Sequence, residues 1–220
     1  MEEKSRIKST IKFFLTEFLM VFFGVLLAFW VINWGERKRN KEYAENIIQN
    51  ISDDIRNDSI RVVEAIKMIN MQYSMLTSFT SHLRAGQYDS ASLYVASCYM
   101  SYNLFEPTTE SYQSMIYGGD LKLIEDYKII RQIKEIDHIN QQLNHLHGLY
   151  YRAVEDIRNT FLCKEDMDDL DFKRFGNRME FWNRVNFLRD TYLKNYEKTL
   201  RHSQSKYNEF LSLVSETKSL

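Results

Sequence analysis

The chain has 220 residues, with 29 Lys or Arg against 30 Asp or Glu, for a formal net charge of −1. One Pro and seven Gly are too few for the many tight turns of a β-sandwich or barrel, and too few for a disordered, linker-rich chain. Long helices with few breaks remain, and the near-zero charge argues against a general nucleic-acid binder, which needs a basic surface to neutralise phosphates.

In chain order, the first element is an apolar run. Phe18 to Ile32 carry no charge, and the stretch from Phe13 to Trp34 holds a single acid, Glu17. As a helix, 13–34 extends about 33 Å, enough for a hydrocarbon core of about 30 Å. It is apolar on every face, so it has no polar side to show to water as the helix of a soluble core would. Trp30 and Trp34 sit at one end, where indoles favour the membrane interface. The run ends Ile32-Asn33-Trp34-Gly35-Glu36 without the small residues of a cleavage site, so the expectation is an uncleaved single-span anchor. The predicted organisation is a short basic tail at 1–12, a transmembrane helix at 13–34 and a soluble domain at 35–220.

Lys4, Arg6, Lys8 and Lys12 precede the span, and Arg37, Lys38, Arg39 and Lys41 follow it, so positive charge alone does not orient it. A short tail with four cations is costly to translocate, whereas a long domain crosses largely regardless of charge. The expected orientation is therefore amino terminus in the cytoplasm and carboxy-terminal domain outside. Gly24 and Ala28 form a small-xxx-small pair that would let two spans approach closely, with Asn33 available for a hydrogen bond across such a pair. Chance placement explains the pair equally simply, because both residues are common in spans.

Beyond the anchor the apolar period is helical. Ile48, Ile55, Val62, Ile69, Leu76 and Leu83 recur every seven residues, flanked by Ile51, Ile66 and Tyr73, which predicts one long helix over 36–83 packed lengthwise on partners. Ser52, Asp53, Asp54, Arg56, Asn57 and Asp58 are its expected wet face. Asp89 or Ser90 is the expected cap of a short helix reaching Tyr102, and Thr108 or Thr109 that of a helix ending before Gly118. A second long helix is predicted over 125–161, with Ile129, Ile136, Leu143, Tyr150 and Ile157 at sevens. This row passes Gly148 without a change of phase. Asn140 and His147 align with Ile133, Val154 and Phe161, as polar groups at the core edge that set helix register. A polar loop at 164–175 leads to a last helix over 177–214. Leu193, Leu200, Tyr207 and Val214 are its core row, with Phe181, Leu188 and Tyr196 alongside. The fold class is therefore all-α: one amino-terminal transmembrane helix, then an antiparallel bundle of long, coiled-coil-like helices.

Candidate chemistry is sparse. Glu135-Ile136-Asp137-His138 matches the Glu-x-x-His pattern of diiron bundles, but those proteins need two copies plus two further inward carboxylates. Glu135 and His138 are thus weak metal candidates, with solvated residues the simpler reading. His145 and His147, two apart, face different directions on a helix. Glu165, Asp166, Asp168, Asp169 and Asp171 lack the alternation, central Gly and final Glu of a calcium loop. Gly118-Gly119-Asp120 reads as a turn needing positive φ. Cys98 and Cys163 are too few for a disulfide framework or a cysteine-based zinc site; one bridge in an oxidising compartment and two free buried thiols both remain open, the thiols being simpler. No nucleotide, hydrolase or protease motif is present, and no cofactor is expected.

Two stretches together resemble a known group. The first is Glu17-Phe18-Leu19, Gly24-Val25-Leu26-Leu27-Ala28, Asn33-Trp34 and Glu36-Arg37-Lys38; the second is Ser111-Tyr112-Gln113-Ser114-Met115 followed by Gly119-Asp120-Leu121-Lys122-Leu123-Ile124. The pair is similar to uncharacterised bacterial single-span proteins whose apolar span ends in Asn-Trp or Asn-x-Trp and whose helical domain carries a Ser-Gly-Asn-Leu-type turn. Gly35 and Gly118 depart from that pattern, which usually has an acid or Asn and a Ser there. The resemblance implies a membrane-anchored helical protein of the bacterial inner membrane and brings no known activity.

The expected function is that of a non-enzymatic interaction protein: a sensor, scaffold or accessory subunit of a membrane complex. Its partners would be the bilayer and a protein or a second copy. The residues expected to carry this are Gly24, Ala28 and Asn33 in the span, and Ile48, Ile55, Val62, Ile69 and Leu76 on the long helix. The alternative is a metal-binding bundle or enzyme using Glu135 and His138.

Overall fold

A computed structural model describes residues 2–95, 105–108, 110–162 and 178–218. The expected polar loop at 164–175, its acids, Cys98, Cys163 and Thr109 lie outside the described residues. All regular structure among those described is helical, so the fold is all-α. The chain divides into two compact units, Met1–Ile47 and Ile48–Leu220.

Helix α1 spans Glu2–Arg84, and its first part makes up the described portion of the smaller unit. There the apolar side chains have no core to enter: Phe18, Phe23, Leu27, Trp30 and Trp34 are all exposed. Beyond them Lys38 faces Glu42 at 3.9 Å and Lys41 faces Glu45 at 4.0 Å, solvated pairs one turn apart that add little stability.

In the larger unit the seven-residue row is the bundle core. Ile55, Val62, Ile69, Leu76 and Leu83 are buried, and Ile48 is half-buried. A second row three residues along, Ile51, Asp58, Ala65, Gln72 and Phe79, is buried as well. Ser52 and Asp58, expected on the wet face, are 3% and 1% exposed. The physical reason is phase: Asp58 falls between Ile55 and Val62 on the inward stripe, and the Ser52 hydroxyl folds back to the Ile48 carbonyl at 2.7 Å.

α1 stops at a Schellman turn. Gly86 takes φ +71°, its N–H donates to the Leu83 carbonyl, and the Gln87 N–H donates to the His82 carbonyl, which satisfies two of the helix's last free carbonyls. The next helix, α2 (Tyr88–Ser92), starts at once, with Gln87 at the cap position and no side-chain cap. The expected caps Asp89 and Ser90 lie inside it, and Tyr102, its expected end, lies outside the described residues. Helix α3 covers Glu110–Gly118, and a 3-10 turn at Asp120–Leu123 follows Gly119, whose φ is +78°.

Helix α4, Tyr127–Ile157, is capped by Asp126, whose carboxylate accepts from the Lys128 N–H at 2.8 Å, satisfying one free donor of its first turn. Its expected row, Ile129 through Ile157, is buried throughout, Gly148 lies inside the helix, and a π-turn at Arg158–Leu162 closes it. The last rod consists of α5 (Met179–Phe187), a π-turn (Leu188–Leu193) and α6 (Lys194–Lys218). The extra residue of the π-turn lets Phe181, Val185 and Leu188 share the buried side with Leu193, Tyr196 and Leu200; a plain helix would bring Tyr192 inward instead.

Direction follows from side-chain pairs. Ser59 meets Asn208, Tyr73 meets Lys194 and Thr80 meets Arg189, so α1 and the last rod run antiparallel. Glu135 meets Lys206, and Asp156 meets Arg184, so α4 and that rod are antiparallel too. Phe79, Phe161 and Phe181 close one end edge-to-face, with centroids 6.1 Å apart for Phe79–Phe181 and 5.2 Å for Phe161–Phe181, the arrangement aromatic quadrupoles favour.

Candidate functional site

Because α1 and α4 both oppose the last rod, they run the same way, and the connection between them must return along the bundle. One described stretch of it, Phe105–Thr108, is strapped to α1 by Asp58. The buried carboxylate accepts the Thr108 N–H at 2.7 Å and the Thr108 hydroxyl at 2.9 Å. Arg61, one turn on, donates to Asp58 at 3.0 Å and to the Glu106 carbonyl at 2.8 Å, and its guanidinium lies 5.3 Å from the Phe105 ring centre. Tyr196 donates its hydroxyl to the Phe105 carbonyl at 2.9 Å. His147 Nδ1 approaches the Glu106 carboxylate at 3.6 Å. Three helices, α1, α4 and α6, therefore converge on a four-residue strap.

Burial pushes the Asp58 carboxyl above its ordinary range, opposed by the Thr108 hydrogen bonds and the Arg61 charge. Burial raises both the Tyr196 and the Tyr207 phenols. Tyr207 donates to Asn140 at 2.7 Å, and Asn140, expected at the core edge, is 1% exposed and lies within the core. His147 is half-buried at the rim. Gln72 and Tyr150 also hydrogen-bond across the core. These contacts hold helices in register; none sets a nucleophile beside a base.

Glu135 and His138 line an open groove of about 560 Å³ between α4 and α6, together with Tyr127, Arg131, His202 and Lys206. Hydrogen bonds from Arg131, at 3.0 Å, and Lys206, at 3.2 Å, hold the Glu135 carboxyl below its usual range. His138 Nε2 is 2.9 Å from the Gln142 amide. A carboxylate already flanked by two cations is a poor seat for a metal ion. Among the described residues no three His, Cys, Asp or Glu side chains cluster as metal ligands.

The expected interaction residues divide. Ile55, Val62, Ile69 and Leu76 are 0–2% exposed and are used by this chain's own core, which corrects their assignment to an external partner: a side chain packed against α4 and the last rod has no surface left to offer. Gly24 has open space around it, Ala28 is exposed and Asn33 is partly covered. The face of α1 that is free of the core carries Ile60, Val63, Met68 and Met71, all exposed. The longer inward row dominates the apolar pattern of this helix and masks these four residues, which lie on its opposite side.

Comparison with protein-family models, curated proteins and solved structures finds nothing that matches this chain.

Proposed function

We propose that the protein is a single-span, membrane-anchored helical module that works by binding another protein, with no reaction of its own. The observation that carries this reading is the first part of α1, a helix long and apolar enough to cross a membrane, with its most apolar window wholly unburied. Leaving Phe22, Leu26, Phe29 and Ile32 about half exposed or more in water would cost about 25 cal/mol per Å² of apolar surface, and lipid removes that cost. The larger unit supports a binding role: its buried polar groups serve registry, while large apolar side chains remain on the surface.

We place the anchor in a bacterial inner membrane with the amino terminus in the cytoplasm, on the cost of translocating the basic tail and on the Asn33-Trp34 resemblance. Protease added to intact spheroplasts tests this. Digestion of the carboxy-terminal domain, with a small amino-terminal fragment left in the membrane, is the expected result. A domain protected until lysis would reverse the orientation, and release of every fragment into the supernatant would remove the anchor.

A further inference from the structure

Just beyond its apolar stretch, α1 becomes basic. Between Trp34 and Glu42 four cations, Arg37, Lys38, Arg39 and Lys41, stand against one acid, Glu36. At 3.6 residues per turn, Trp30, Trp34, Arg37, Lys38 and Lys41 share an arc of about 100°, while Glu36 and Arg39 lie on the opposite side. Trp30 is 65% exposed and Trp34 59%, and the three cations beside them are exposed as well. Lys38 and Lys41 reach acids only at 3.9 and 4.0 Å, on Glu42 and Glu45 one turn further from the apolar stretch. Among the described residues Arg37 has no ion-pair or hydrogen-bond partner.

The heights of these residues along the axis match a bilayer boundary. Indoles favour the edge of the hydrocarbon core, and headgroups add about 5–7 Å beyond it on each side. With Trp34 at that edge, the rise of about 1.5 Å per residue sets the Arg37 Cα about 4.5 Å out, Lys38 about 6 Å and Lys41 about 10 Å. Helical side chains lean toward the amino terminus, which for cations that follow a span is back toward the lipid. The long Lys41 stem therefore brings its ammonium to the same level as the Arg37 guanidinium.

We infer that this face of α1 seats anionic phospholipid. The Trp30 and Trp34 indoles pack between acyl chains and headgroups, and Arg37, Lys38 and Lys41 take up the phosphate oxygens. The inference rests on the anchored-module reading and adds a lipid class to it. A zwitterionic headgroup balances its phosphate with its own ammonium, so the face selects lipid of net negative charge. The seat serves either orientation of the span, since it belongs to whichever leaflet α1 leaves on the way to the larger unit.

The test uses the full-length chain in a Trp182→Phe background, so that emission comes from Trp30 and Trp34 alone. Phosphatidylcholine vesicles carry brominated phosphatidylglycerol or brominated phosphatidylcholine, whose bromine quenches only neighbouring indoles. Brominated phosphatidylglycerol is expected to occupy the seat at least about fivefold more readily than brominated phosphatidylcholine. Arg37→Gln combined with Lys41→Gln should bring the two lipids to within about twofold of each other, while Arg39→Gln, which removes a like charge from the opposite side, should change the preference less than about twofold. No preference in the parent overturns the inference. Equal losses for Arg37→Gln and Arg39→Gln overturn it too, because diffuse charge and not a face would then attract the lipid. Inorganic phosphate should compete no better than chloride at matched ionic strength; specific displacement by phosphate would make this a free-phosphate site and overturn the lipid assignment. Flotation of the same vesicles reports the anchor separately. A parent that floats without preference contradicts the lipid seat alone, and a parent that does not float contradicts the anchor and the seat with it.

Discussion

Asp58 on α1 holds both the N–H and the hydroxyl of Thr108, fifty positions further along the chain. This side chain fixes where the returning connection crosses the bundle. Removing it by Asp58→Ala leaves a buried N–H without its acceptor and Arg61 without its carboxylate. We expect a loss of about 2–3 kcal/mol, read from chemical denaturation of the detergent-solubilised full chain. Thr108→Ala keeps the N–H bond and should cost about 1 kcal/mol. Equal losses for the two would mean that the hydroxyl, and not the strap as a whole, dominates.

The same carboxylate gives a pH signature. Its folded pKa is raised above the ordinary value of 3.8, so the folded state prefers the neutral acid. Asp58 therefore adds stability as pH falls through its folded pKa, with the gain complete below 3.8. Asp58→Asn has no such proton to gain. The stability of the parent relative to Asp58→Asn should rise as pH falls from about 7 to about 4. Glu135, Asp190 and Glu209, whose values are lowered by their cation partners, lose stability on acidification in both proteins and cancel in the comparison. A difference that falls on acidification would show that Arg61 and Thr108 outweigh burial.

Two glycines should respond in opposite directions. Gly148 lies inside α4 with nothing within 4 Å of an added Cβ, and it lacks the positive φ of Gly86 and Gly119. Gly148→Ala should stabilise by up to about 1 kcal/mol. Gly119 sits at φ +78°, where a Cβ meets the following carbonyl, and Gly119→Ala should destabilise by about 1–2 kcal/mol. Thermal melts of the two variants check both signs.

The Tyr207–Asn140 bond joins α6 to α4 within the core. Tyr207→Phe removes the donor, and Asn140→Leu the acceptor, at a cost of about 1–2 kcal/mol each. The double variant should be more stable than the sum of the two losses implies, since neither partner of this bond is then left facing the other unpaired. Strict additivity in this cycle would show that the bond contributes nothing to stability.

Much of this architecture can be read from spacing. The rows from Ile48 to Leu83 and from Ile129 to Ile157 locate two helix cores, because sevens without a slip leave one stripe inward. Asp58 departs from the expected wet face because position outweighs residue type: three after Ile55 and four before Val62, it stands on the inward stripe. Gln72, on that same second row, is buried in the same way. The π-turn at Leu188–Leu193 is marked only by the five-residue step between two buried leucines. The strap itself pairs residues fifty apart, which no local period encodes. The outer face of α1 was legible in principle, since Ile60, Val63, Met68 and Met71 repeat at helical spacing, but a stronger row on the same helix masked it.

Alkaline carbonate extraction of membranes containing the full chain tests the central claim most directly. Peripheral proteins are stripped at high pH, whereas a helix lodged through the hydrocarbon core stays. The account predicts that the protein remains in the pellet and leaves it only with detergent, and that a variant carrying Val25→Asp, Leu26→Asp and Leu27→Asp moves to the supernatant. Release of the parent protein by carbonate alone would contradict it.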